Sequence, residues 1–156
     1  MSLKRILLTG LTVAAITSTS VFAAGHSTGN KAVDARIAHM NLYSFNLGQL
    51  GAMAKGSMDF NADLATALAS DLAALSSMSQ AAYWPEGTSS DDVEGSRALA
   101  AGWEDPENAM KLAGGLAEAS AALAEAAGTL EGLQGAIGAV GGACGACHKA
   151  TRGPAN

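Results

Sequence analysis

Residues 129–148 read TLEGLQGAIGAVGGACGACH. Within them Leu133, Ile137, Val140, Cys144 and Cys147 recur at spacings of four, three, four and three, the period of one face of an α-helix. Thr129 stands where a cap is needed, just after Gly128, a stop for whatever precedes it. The apolar seam therefore runs into the only two cysteines of the chain, and His148 follows directly. At about 100° per residue, Cys144, Cys147 and His148 fall within an arc of roughly 100°. One helix face presents two thiols and an imidazole.

A C-x-x-C-H run is the attachment sequence of c-type haem, with two thiols for thioether bonds to the porphyrin vinyls and an adjacent imidazole for the iron. Three other readings compete. A redox disulfide wants a thioredoxin-like βαβ context, and no strand pattern flanks the cysteines. A structural zinc site needs four ligands, and the remaining histidines are only His26 and His39. An exported disulfide leaves the following histidine unexplained. The same helix carries Gly132, Gly135, Gly138, Gly141, Gly142 and Gly145, a propensity cost of roughly 5 kcal/mol relative to alanine. That approaches the net stability of a small domain. Haem attachment and close packing are expected to offset it, the bare backbone making room for neighbouring helices or for the flat macrocycle.

The first residues bound the compartment. Lys4 and Arg5 precede an apolar stretch from Ile6 to about Ile16, and small residues lead to Ala23. This is the pattern of a secretory signal peptide over residues 1–23, with the mature domain over 24–156. A membrane anchor needs roughly 20 apolar residues, and threonines and a glycine break this run. Removing the segment takes the formal charge from −5 to −7. Such a chain does not suit nucleic acid or an anionic membrane. A partner met electrostatically is expected to be basic.

Alanine, glycine and leucine dominate, and β-branched and aromatic residues are few, which predicts an all-α domain. A first helix is expected from Lys31 to Lys55, with Met40, Tyr43, Leu47 and Leu50 on one stripe and Arg36 one turn before Met40. A second starts near Phe60, capped by Asp59 or Asn61, and runs through Leu64, Leu68, Leu72, Leu75 and Met78 to end at Tyr83–Gly87. Thr88–Gly102 is polar, acidic and aperiodic, and reads as the long connection. Asp105 and Pro106 then open a third helix through Leu112, Leu116, Ala119, Leu123 and Ala126. Four antiparallel helices with two short links and one long one predict a bundle whose cofactor sits between facing helices.

Arg36 on an apolar stripe needs a partner for its charge, and a haem carboxylate fits. Met40 packs over the haem or, through its thioether, ligates iron. His39 points roughly 100° away from Met40 and is placed on the surface. His26, third in a chain cut after Ala23, forms with Ala24 and Gly25 a terminus able to bind copper or nickel, or simply a frayed end. Trp84 and Trp103 are expected to fix the long connection.

Taken in order, Arg36-x-x-x-Met40, Lys55-Gly56, Trp84-Pro85-Glu86-Gly87, Trp103-x-Asp105-Pro106 and Cys144-x-x-Cys147-His148-x-x-Thr151-Arg152 resemble the cytochrome c′ family over essentially the whole mature length. The resemblance implies a left-handed four-helix bundle, usually a homodimer, with covalent haem c and His148 as the proximal ligand of five-coordinate, high-spin iron. It implies that Met40 lies over the open face, in a cramped apolar pocket, and that Arg36 pairs with a haem propionate. Arg152 matches a basic residue beside the proximal face, where some members bind nitric oxide after the histidine is displaced. Thr151 stands where tyrosine is frequent, and Ile37 where a polar residue often helps hold a propionate.

An apolar screen over five-coordinate iron favours small neutral gases, nitric oxide first and carbon monoxide next. No Ser/His/Asp set and no distal acid/base pair suggests enzymatic turnover. The sequence thus reads as a periplasmic haem protein that binds these gases or passes single electrons to an unidentified redox partner. The alternative is a six-coordinate electron carrier of the cytochrome c-556 type, with Met40 as the sixth ligand.

Overall fold

Each long helix begins where a polar side chain takes over free amides of its first turn. The computed structural model describes residues 27–154. The expected signal segment and His26 lie outside the described residues. Helix α1 spans Lys31–Ala54, and the Asn30 side chain accepts from the amides of Ala32 and Val33. Helix α2 spans Ala62–Ser77, capped by Asn61 through Leu64 N. After a 3₁₀ turn at Ala81–Tyr83 and a short helix α3 at Ala101–Glu104, α4 runs from Pro106 to Ala126 behind an Asp105 cap. Helix α5, Leu130–Thr151, is capped by Thr129, whose hydroxyl accepts from Gly132 N. Each cap stabilises its helix by about 1 kcal/mol.

The four long helices form a ring: α1 packs on α2 and α5, and α4 packs on the same two. Consecutive long helices are neighbours, the antiparallel four-helix bundle expected. Leu50 and Met53 of α1, Leu72 of α2, Leu123 of α4, and Leu133 and Val140 of α5 are fully enclosed. Burying a leucine of this kind is worth about 1.5–3 kcal/mol.

The inner face of α1 differs from the expected stripe. Arg36, His39, Tyr43, Asn46, Leu50 and Met53 are buried, whereas Met40 and Leu47 are half-buried at its edge. His39, expected on the surface, is only 5 % exposed. The buried positions follow a three–four alternation that polar Arg36, His39 and Asn46 hide from a count of apolar residues alone. Helix α2 also stops earlier than expected. The Ser76 and Ser77 hydroxyls donate to the carbonyls of Ala73 and Ala74 in its last turn, and Met78 turns into extended backbone, exposed.

The long connection is not structureless. Trp103 Nε1 donates to the Trp84 carbonyl at 3.0 Å, and the two indoles lie 5.8 Å apart. The tryptophans do fix the connection. Farther along it, Leu99 N donates to Thr151 O and Gly153 N to Arg97 O, both at 2.8 Å, around an antiparallel bridge between Ala98 and Arg152. The connection is thereby fastened to the end of α5, beside the C-x-x-C-H run.

Of the six glycines of α5, only Gly132 is required by crowding. A Cβ there would lie 2.2 Å from the Ala126 carbonyl oxygen. Cβ atoms at the other five would meet nothing within 4 Å. Room for a neighbouring helix is therefore not their role within this chain, a correction to the packing expectation.

Candidate functional site

The last two turns of α5 present Cys144, Cys147 and His148 together, each half-buried. Val140 and Leu133, one and three turns earlier on that seam, are fully buried, so packing fixes the rotation of the helix and with it the direction of the thiols. The two cysteines form no disulfide with one another. The Thr151 hydroxyl donates to the Cys147 carbonyl at 3.0 Å and lies 3.7 Å from its sulfur, tying the end of the helix.

Burial pushes the Cys144 thiol up, and the nearby Cys147 adds to this. A catalytic C-x-x-C nucleophile needs the opposite shift, toward thiolate. Burial also holds the His148 imidazole below its ordinary value, reinforced by the guanidiniums of Arg152 and Arg97. The neutral imidazole that results at pH 7 is the metal-ligating form. Two thiols one turn apart and a neutral imidazole on one face are the donor set a covalent haem requires, and the space beside Gly141 and Gly145 leaves the flanks of that face clear. The residues present fit the group.

Arg36 is 5 % exposed and its terminal nitrogens are engaged. Nη1 donates to Tyr83 O at 2.8 Å and Thr88 Oγ1 at 2.9 Å; Nη2 donates to Thr88 O at 2.7 Å and Ser96 Oγ at 3.2 Å. Its guanidinium carbon sits 4.6 Å above the Trp84 ring and 5.6 Å from that of Trp103. Of its five N–H donors, four serve the connection, and a carboxylate partner would be left with Nε–H. The buried charge is thus met by neutral oxygens and two aromatic faces.

Met40 is half-buried on α1, packed against the same core cluster as Cys144. Arg152 is exposed just beyond α5, its amide donating to the His148 carbonyl at 3.0 Å. The structure thus brings Cys144, Cys147, His148 and Arg152 together on one helix end.

Two buried polar side chains of α1 escape the reading for apolar stripes. His39 and Tyr43, one turn apart, meet edge-on with ring centroids 4.8 Å apart, and Tyr83 lies 5.9 Å from His39. Neither His39 Nε2 nor the Tyr43 hydroxyl has a hydrogen-bond partner among the described residues. Burial lowers the His39 imidazole against a weaker opposing pull from the Leu75 carbonyl. Burial, with the nearby Cys144, pushes the Tyr43 phenol up to about 12.

Residues 31–152 match the family model described as Cytochrome C′. A cytochrome c′ of Cereibacter sphaeroides is 42% identical over 96 residues, covering 62% of this chain and 64% of that protein, so the match spans less than two thirds of the relative's length. The solved cytochrome c′ from Rhodobacter spheriodes superposes with a TM-score of 0.79 at 38% identity, over 83% of this chain and all of the other. A nitric oxide complex of a mutant cytochrome c prime from Alcaligenes xylosoxidans gives 0.68 at 29% identity, over 79% of this chain and 94% of that one. Bundle, cysteine pair, following histidine and a match across nearly the whole described length agree: this chain belongs to the cytochrome c′ family, which carries covalent haem c.

Proposed function

We propose that this chain is an exported, periplasmic haem protein whose iron keeps one coordination position open for nitric oxide or carbon monoxide, and which passes single electrons rather than turning over a substrate. The observation that carries this reading is the shared face of Cys144, Cys147 and neutral His148. Cys144 and Cys147 would hold the haem through thioether bonds, and His148 would supply the protein's nitrogen ligand to its iron. Haem bound there supplies a redox-active iron that takes diatomic gases.

The remaining residues tune that site. Met40, at the edge of the α1 inner face and packed against the same core cluster as Cys144, would shield a bound haem from water with its apolar side chain. Arg36 fastens the connection to α1 and keeps Nε–H for a propionate. Arg152, one turn beyond His148, places a positive charge beside the proximal side. A relative whose nitric oxide complex is solved supports the gas as ligand. Leu42 and Phe45, 51 % and 59 % exposed and one turn apart on the outside of α1, support a homodimer through that face. No helix among the described residues is long and apolar enough to cross a membrane.

Mass spectrometry and a nitric oxide titration test the reading together. The denatured mature protein should keep the mass of one haem on the peptide holding Cys144 and Cys147, and the ferrous form should take up one equivalent of nitric oxide. Haem extracted by acid solvent, or a spectrum unmoved by the gas, would overturn it.

A further inference from the structure

Tyr43 is 6 % exposed and its hydroxyl has no hydrogen-bond partner, although buried phenols almost always find one. It stands on the inner face of α1, one turn from Met40, in the cluster against which Met40 and Cys144 both pack. The edge-on contact with His39 fixes the ring without using the hydroxyl. Gln80 lies near enough to ease ionisation of the phenol but does not reach hydrogen-bond geometry. A fixed donor therefore stands unspent between α1 and the helix that bears the thiols.

We propose that the Tyr43 hydroxyl is the hydrogen-bond donor of the gas-binding pocket, reaching a diatomic ligand held on the α1 side of the macrocycle. The inference rests on the open-position reading above and goes beyond it. The pocket is then not wholly apolar, as family resemblance alone implies, but carries the Tyr43 hydroxyl beside the buried His39 imidazole. A neutral donor in a low-dielectric site stabilises negative charge on the outer atom of a bound gas far more than it would in water. It favours a bound gas that gathers negative charge on its outer atom over one that does not. The elevated phenol keeps its proton throughout the physiological range, so the donor is always present.

The test is the infrared C–O stretching band of the ferrous carbon monoxide adduct in Tyr43→Phe, recorded in H₂O and D₂O. Phenylalanine preserves the ring that His39 packs against and removes only the donor. The band of the parent protein should shift on deuteration. In the variant it should move to higher wavenumber, lose that sensitivity, and be accompanied by several-fold faster gas release. An unchanged band in Tyr43→Phe overturns the inference while leaving the open position intact. Ferrous protein that takes up no carbon monoxide overturns the open position and the inference with it. Should Tyr43→Phe not fold, 3-fluorotyrosine at position 43, a stronger donor, should move the band to lower wavenumber; no movement overturns the inference equally.

Discussion

Arg36 and Thr88 are joined twice, 52 residues apart: one guanidinium nitrogen donates to the Thr88 hydroxyl at 2.9 Å and the other to its carbonyl at 2.7 Å. This clamp fastens the long connection to α1, and the stacking of Arg36 on Trp84 and Trp103 places it at the centre of the connection's packing. Arg36→Ala leaves the carbonyls of Tyr83 and Thr88 without these donors and should lower stability by about 2–4 kcal/mol in urea unfolding. Arg36→Lys should recover little of the loss, because an ammonium cannot fork across the same oxygens. Protease cleavage within residues 84–100 should quicken in both. Full stability in Arg36→Ala would show the clamp to be idle.

The glycines of α5 divide into one that is required and several that are not. Alanine at Gly135, Gly138 and Gly142, all exposed with open space at Cβ, should raise stability by roughly 1.5–3 kcal/mol in total. Gly132→Ala should lower it by about 1–3 kcal/mol, since the new methyl meets the Ala126 carbonyl. Denaturant melts of the two variants should therefore move in opposite directions.

Buried His39 sets an acid limit. Its folded-state imidazole titrates below the ordinary value of 6.5. The unfolded chain then binds the proton first, and stability is lost as pH falls from about 6.5 toward the folded value. Comparing thermal midpoints of the parent and His39→Phe between pH 7.5 and 5 isolates this from His148, which is lowered in the same direction. The gap between the two should change in favour of His39→Phe as the solution is acidified. A constant gap would mean that His39 takes up its proton without penalty.

Leu42 and Phe45 expose apolar surface on the outside of α1. Sedimentation of the mature protein should report a dimer, and Leu42→Lys with Phe45→Glu a folded monomer. A dimer that survives both changes would move the interface to another face.

The bundle was legible because three of its long helices announce where they begin. Asn61, Asp105-Pro106 and Thr129 each stand one step outside an apolar run, and each caps a helix in the structure. The α5 seam was readable through to Cys147 because nothing polar interrupts it. On helix α1 Arg36, Tyr43 and Leu50 are buried as expected, but His39 and Asn46 take the places of Met40 and Leu47, for the opposite reason. Its buried face contains Arg36, His39 and Asn46, whose burial depends on partners 47 to 60 residues away for Arg36 and on aromatic contacts for His39. Local periodicity carries no information about such partners. The early end of α2 and the pairing of Ala98 with Arg152 were hidden likewise, one in serine side-chain bonds and the other in a contact across 54 residues.

The central claim, an open iron position opposite His148, is tested most directly by the visible spectrum of the dithionite-reduced mature protein before and after carbon monoxide. A broad high-spin spectrum that sharpens and shifts on addition of the gas is the predicted result. A sharp low-spin α band that the gas does not move, and that Met40→Ala abolishes, would contradict it and make Met40 the sixth ligand.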